Sequence, residues 1–134
     1  MQARRTNSGL LVFVLTVAVG CAQANNQAGA EFTPVYNGIE RIMLDVDLVN
    51  MRVSMSGARD RQDVAQYARC AVAQYALNRG YGFARQVRTN VSLQAGIWSA
   101  DAVYTISPTL PQGLRTLDAE VVVQNCMAEG IPAV

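Results

Sequence analysis

Asp60–Arg79, DRQDVAQYARCAVAQYALNR, is the stretch that decides the fold. Val64, Ala68, Ala71, Val72 and Tyr75 recur at helical spacing and make one apolar stripe. Gln66, Arg69 and Ala73 fall away from it. Asp60 is placed to cap the start, and Asp63 puts an acid in the first turn, where the helix dipole favours one. Gly80 follows at the position where a left-handed residue ends a helix. The stripe is rich in Ala, so this helix can lie close to a sheet.

The flanking segments alternate with period two. Ile42–Met55 (IMLDVDLVNMRVSM) sets Ile42, Leu44, Val46 and Leu48 against Asp45 and Asp47, then changes phase to Met51, Val53 and Met55. A bulge near Val49–Asn50 restores the facing, so this is a bent strand or two short ones. Ser56–Gly57 ends it. Phe83–Leu93 alternates Phe83, Val87, Val91 and Leu93 against Gln86, Arg88 and Asn90. Gln94–Gly96 is a short hairpin link to Trp98–Ile106, which alternates again. Ser107–Arg115, with two Pro and a Gly, is a loop. Leu117–Val123 reads as the last strand, with Asp118 and Glu120 outward. The order is β-α-β-β-β: an α+β fold, one mainly antiparallel sheet with a single long helix packed on one face.

The chain of 134 residues suffices for one domain. All 11 basic residues are Arg; there is no Lys and no His. That excludes a Ser-His-Asp triad, a Cys-His pair, a His-ligated zinc, a Schiff-base lysine and a P-loop lysine. Neither a metal site nor a cofactor is expected.

The N-terminus reads as an address. Arg4 and Arg5 precede Leu10–Gly20 (LLVFVLTVAVG), an uncharged apolar run that would reach only ~16 Å as a helix, about half the hydrocarbon core. Two processing sites compete. Ala22-Gln23-Ala24 would release a chain starting at Asn25. Ala18-Val19-Gly20-Cys21 resembles a bacterial lipobox, with residues 1–20 removed and Cys21 lipidated as a membrane tether. Residues 25–31 read as a flexible tether and 32–134 as a single domain. Either cleavage removes Arg4 and Arg5 and leaves nine arginines against ten acids, net −1. No nucleic-acid binding is expected from that balance.

Arg52-Val53-Ser54-Met55-Ser56-Gly57, the Ala-rich helix with Tyr67-Ala68, and Asn78-Arg79-Gly80-Tyr81-Gly82-Phe83 resemble an uncharacterised family of small proteobacterial envelope lipoproteins. The likeness covers about residues 52–87. Its motifs are a strand end and a helix stop, so it implies a location and a fold, and no reaction.

Arg85, Arg88 and Tyr81 are the candidate ligand-binding residues: an Arg fork beside an aromatic, suited to an anion or a glycan. The parity of Arg85 puts it on the core side, where it snorkels at the sheet edge or pairs with an acid. Trp98, Tyr104, Tyr67, Tyr75 and Tyr81 read as core residues more readily than as a pocket. Asp45, Asp47 and Asp101 are the carboxylates on which a small hydrolase or lyase would rest. The face carrying Asp101, Asp118 and Glu120 would suit an envelope protein partner if Val103 and Val122 face outward. Cys70 and Cys126 form no C-x-x-C and are expected to be joined as a disulfide in an oxidising compartment. The leading expectation is a non-enzymatic, periplasmic or lipid-anchored envelope domain with a structural or binding role.

Overall fold

A computed structural model describes Gly9 and residues 31–134. The leader, both processing sites, Cys21 and the tether up to residue 30 lie outside the described residues. The elements run β1 (Val35–Met43), β2 (Leu48–Ser56), α1 (Arg61–Asn78), β3 (Phe83–Gln94), β4 (Ile97–Ser107), β5 (Thr116–Asp118) and α2 (Ala119–Glu129). The five strands form one curled sheet in the order β1-β2-β4-β3-β5, with every pairing antiparallel. The α+β class holds. The expectation of one helix does not: α2 packs against α1 and β5.

Of the two readings of residues 42–55, separate strands hold and a bent one does not: the phase change is a hairpin turn between β1 and β2, not a bulge at Val49–Asn50. Leu44 N and Asp45 N donate to Leu48 O at 2.9 and 3.1 Å, and Asp45 Oδ1 accepts from Val46 N at 2.7 Å. The chain reverses there, so Met43 pairs with Val49 and Ile39 with Val53. Val49, Met51, Val53 and Met55 then face α1 and are buried. Ala95 and Gly96 both take positive φ, 49° and 77°, the geometry that a two-residue β3–β4 turn requires.

Helix α1 starts as its sequence indicates. Asp60 caps it by accepting from Gln62 N at 2.8 Å. Gly80, at φ 79°, closes it: Gly80 N donates to Leu77 O and Tyr81 N to Ala76 O, at 2.9 and 2.8 Å. Val64, Ala68, Ala71 and Val72 are buried as the stripe predicts, but so are Tyr67, Cys70, Ala73 and Ala76. Ala73, which periodicity placed away from the core, has no exposed surface. The reason is the second helix, which covers another flank of α1 and widens its buried arc.

Helix α2 replaces most of the strand read at Leu117–Val123. Asp118 ends β5 and caps the helix, accepting from Glu120 N and Val121 N at 3.1 and 3.2 Å. Ala119, Val122 and Cys126 are buried at helical spacing. Gly130 closes the helix in the left-handed region, and Ile131 N donates to Cys126 O at 2.9 Å. Cys70 of α1 and Cys126 of α2 lie with their Cα atoms 5.9 Å apart, a disulfide-compatible pair. Cys126 therefore sits within a helix and not just after a strand, so no sharp turn of a tail is needed to bring it to Cys70.

Candidate functional site

Helix α1 crosses β2, β4 and β3 on one side of the sheet. The other side carries no helix among the described residues. Register fixes what faces outward there. Asn50, Arg52 and Ser54 of β2 stand beside Val103, Asp101 and Ser99 of β4, which in turn stand beside Arg88, Asn90 and Ser92 of β3. On β1, Gly38 pairs with Ser54 and Glu40 with Arg52. Two polar rows therefore cross the sheet: Ser54–Ser99–Ser92 and Glu40–Arg52–Asp101–Asn90. They floor a cleft of about 660 Å³.

Asp101 is the hub of that floor. Asn50 Nδ2 donates to its Oδ1 at 2.6 Å, Arg88 NH1 lies 3.3 Å from the same oxygen, and Arg52 Nε lies 3.5 Å from Oδ2. Glu40 reaches Arg52 NH1 at 3.9 Å. Both guanidiniums are about half exposed, so these ion pairs contribute little stability and keep free N–H groups toward solvent. Asn50 differs: it is 3% exposed, and its Oδ1 accepts no hydrogen bond among the described residues.

The expected site is assembled in part. A bulge between Gln86 and Arg88 leaves Val87 unpaired and shifts the parity of β3. Phe83 and Arg85 therefore share the open face with Arg88 and Asn90, while Ala84, Gln86 and Val91 share the parity that faces α1. Arg85 is not on the core side; it stands opposite Thr105 and Thr116. Tyr81 lies in the link after α1, half-buried against the core, and does not join the two arginines.

The three carboxylates of the hydrolase reading do not converge. Asp45 and Asp47 are in the exposed β1–β2 turn, and Asp47 O accepts from Ile106 N at 2.8 Å. Leu48, the next residue, pairs with Thr105, four positions from Asp101, or ~13 Å of strand. The partner-protein face is not a face either. Asp101 is on the open sheet, Asp118 caps α2, and Val122 is buried in the core. Val103 does face the open side, but only 5% of it is exposed.

The aromatics are core, as expected for Tyr67 and Tyr104, which are buried, and for Trp98 and Tyr75, which pack partly buried against the core. Tyr36 meets Tyr67 edge-on at 4.8 Å. Tyr104 is wholly buried, and burial pushes its phenol up to about 12. Arg69 and Thr89 temper that rise, although no group among the described residues bonds the Tyr104 hydroxyl with good geometry. Below pH 10 the phenol is protonated in both the folded and the unfolded chain. Between pH 10 and 12 only the unfolded chain releases the proton, so stability should fall by about 2–3 kcal/mol over that window. Urea midpoints measured from pH 8 to 12 should show the fall. Tyr104→Phe should flatten it and, by removing an unbonded buried hydroxyl, should cost nothing at pH 8. An unchanged alkaline slope in Tyr104→Phe would assign the loss to other groups.

Ser54, Ser92, Ser99, Arg52, Glu40, Asn50 and Asn90 were not singled out by sequence reasoning. Glu40 lies before any strand read from the sequence, and the only signal of the others was their place on three alternating strands, which a solvated strand face gives as well. Among the described residues no group of three metal-capable side chains occurs, and no helix is long and apolar enough to cross a membrane.

The chain is 34% identical over 86 residues to the "Uncharacterized 26.9 kDa protein in nqo8 5'region" of Paracoccus denitrificans. That match takes in 64% of this chain and 34% of the relative, so the chain spans about a third of the length of that protein. No solved structure matches. Residues 36–130, from the second residue of β1 to the glycine that closes α2, match the YNQ4 C-terminal domain, and the chain belongs to that family.

Proposed function

We propose that this is a non-enzymatic binding domain of the bacterial cell envelope, exported through its N-terminal leader and either released after Ala24 or tethered by a lipid on Cys21. The observation that carries the binding role is the polar side of the sheet, which no helix covers among the described residues, and where four strands floor a cleft of about 660 Å³ around Asp101. Small-molecule sites have this size. The scatter of Asp45, Asp47 and Asp101 speaks against acid-base chemistry by paired carboxylates.

Two features support the location. Arg4-Arg5 with the apolar run that follows has the layout of a leader. Cys70 and Cys126 are placed for a disulfide, which persists in oxidising compartments. The resemblance of residues 52–87 to envelope lipoproteins agrees with both. Fractionation of the native cell and an intact mass test the reading. The expected species lacks residues 1–24, or begins at a diacylated Cys21. A full-length protein in the cytosol would overturn the envelope assignment.

A further inference from the structure

We propose that the open side of the sheet is a saccharide-binding cleft whose floor is the pair of register-matched rows Ser54–Ser99–Ser92 and Arg52–Asp101–Asn90. The inference rests on the binding role above and names the class of ligand.

The floor lies in mid-sheet. β2 is paired to β1 and β4, and β4 to β2 and β3, so their backbone groups are already used. β5 pairs only with Phe83–Arg85, so β3 has a free outer edge beside Asn90 and Ser92, but a peptide added there would lie alongside the floor and not on it, and recognition on the floor itself falls to side chains. Those side chains are hydroxyls and an amide, groups that both donate and accept. Sugar hydroxyls need the same dual partner. Arg52 and Asp101 add a two-pronged donor and a two-oxygen acceptor, each able to hold a pair of adjacent hydroxyls.

The acceptor is held in place before any ligand arrives. Asn50, buried, holds Asp101 through its 2.6 Å hydrogen bond, which lowers the ordering cost of binding. Glu40 and Asp101 balance Arg52 and Arg88, so the cleft suits a hydroxyl-rich ligand better than a phosphate chain. Gly38 brings no side chain opposite Ser54, and a Cβ built there meets nothing within 4 Å, which keeps the β1 side of the cleft open. A volume of about 660 Å³ lies within the range of small-molecule sites.

The test is an NMR titration of the ¹⁵N-labelled protein, with cellobiose, digalacturonate and trialanine as probes. Saturable shifts from either disaccharide, confined to amides around Ser54, Asn90, Ser92, Ser99 and Asp101, are the expected result. Ser54→Ala with Ser99→Ala should weaken that binding about tenfold while leaving the melting temperature unchanged. Shifts from trialanine alone would overturn the saccharide class and leave the binding role standing. No shift on this face from any probe, or equal affinity in the double variant, would overturn the inference.

Discussion

Reduction of Cys70–Cys126 should lower the stability of the domain by about 4 kcal/mol. The two residues are 56 positions apart, and in the chain-entropy account a loop of that length restricts the unfolded chain by about this much. A domain of this size has only about 5–15 kcal/mol in all, so the effect is a large share of the total. The geometry adds a local reason. Cys126 is near the C-terminal end of α2, whose buried residues are Ala119, Val122 and Cys126. The link to α1 ties that helix end, beside the packing of Val123 and Ile131 against the core. Reduced protein should therefore lose α2 first and also unfold at lower urea. Urea unfolding with and without dithiothreitol, followed by far-UV circular dichroism, measures the difference. Equal midpoints, or two thiols titrating in denatured, non-reduced protein from the native cell, would show that the pair is not oxidised.

Helix α1 was legible because every level agreed: a capping acid, an Ala-rich stripe and a closing Gly. Helix α2 was not. Leu117, Ala119, Val121 and Val123 alternate as a strand would, and three valines in a row favour one. Ala119, Val122 and Cys126 fit a helix equally well, and the arbiters were Asp118 as cap and Gly130 as stop. The β1–β2 turn was missed for the opposite reason. Leu44-Asp45-Val46-Asp47 holds no Gly, Pro or Asn, and its alternation ran straight through the reversal. The site was the least legible part. Arg85 and Arg88, three apart, belong on opposite faces of a regular strand; one unpaired residue, Val87, puts them on the same face. The serine row needs the order β2-β4-β3, and no local pattern encodes which strands become neighbours.

Ala73→Glu should be among the most damaging single substitutions in the chain, on a par with Ala68→Glu and Ala71→Glu. All three side chains have 1% exposure or less. Glu at any of them buries a charge without a partner or forces the helix off its seat, a loss of about 4 kcal/mol or more. The three positions test different contacts. Ala68 and Ala71 belong to the stripe that the sequence assigns to the sheet. Ala73 lies one turn from Cys70 on the same helix row, and Cys70 is the residue that meets α2. A helix lying alone on the sheet would leave Ala73 in solvent, and Glu there would be silent. Gln66→Glu is the control: Gln66 is partly exposed, and Arg69, three residues on, can offset the new charge. Thermal melts of the four variants separate the arrangements. Loss at 68 and 71 with no loss at 73 would leave α1 on the sheet and remove α2 from its flank. Loss at all three, with Gln66→Glu unchanged, requires both helices in place.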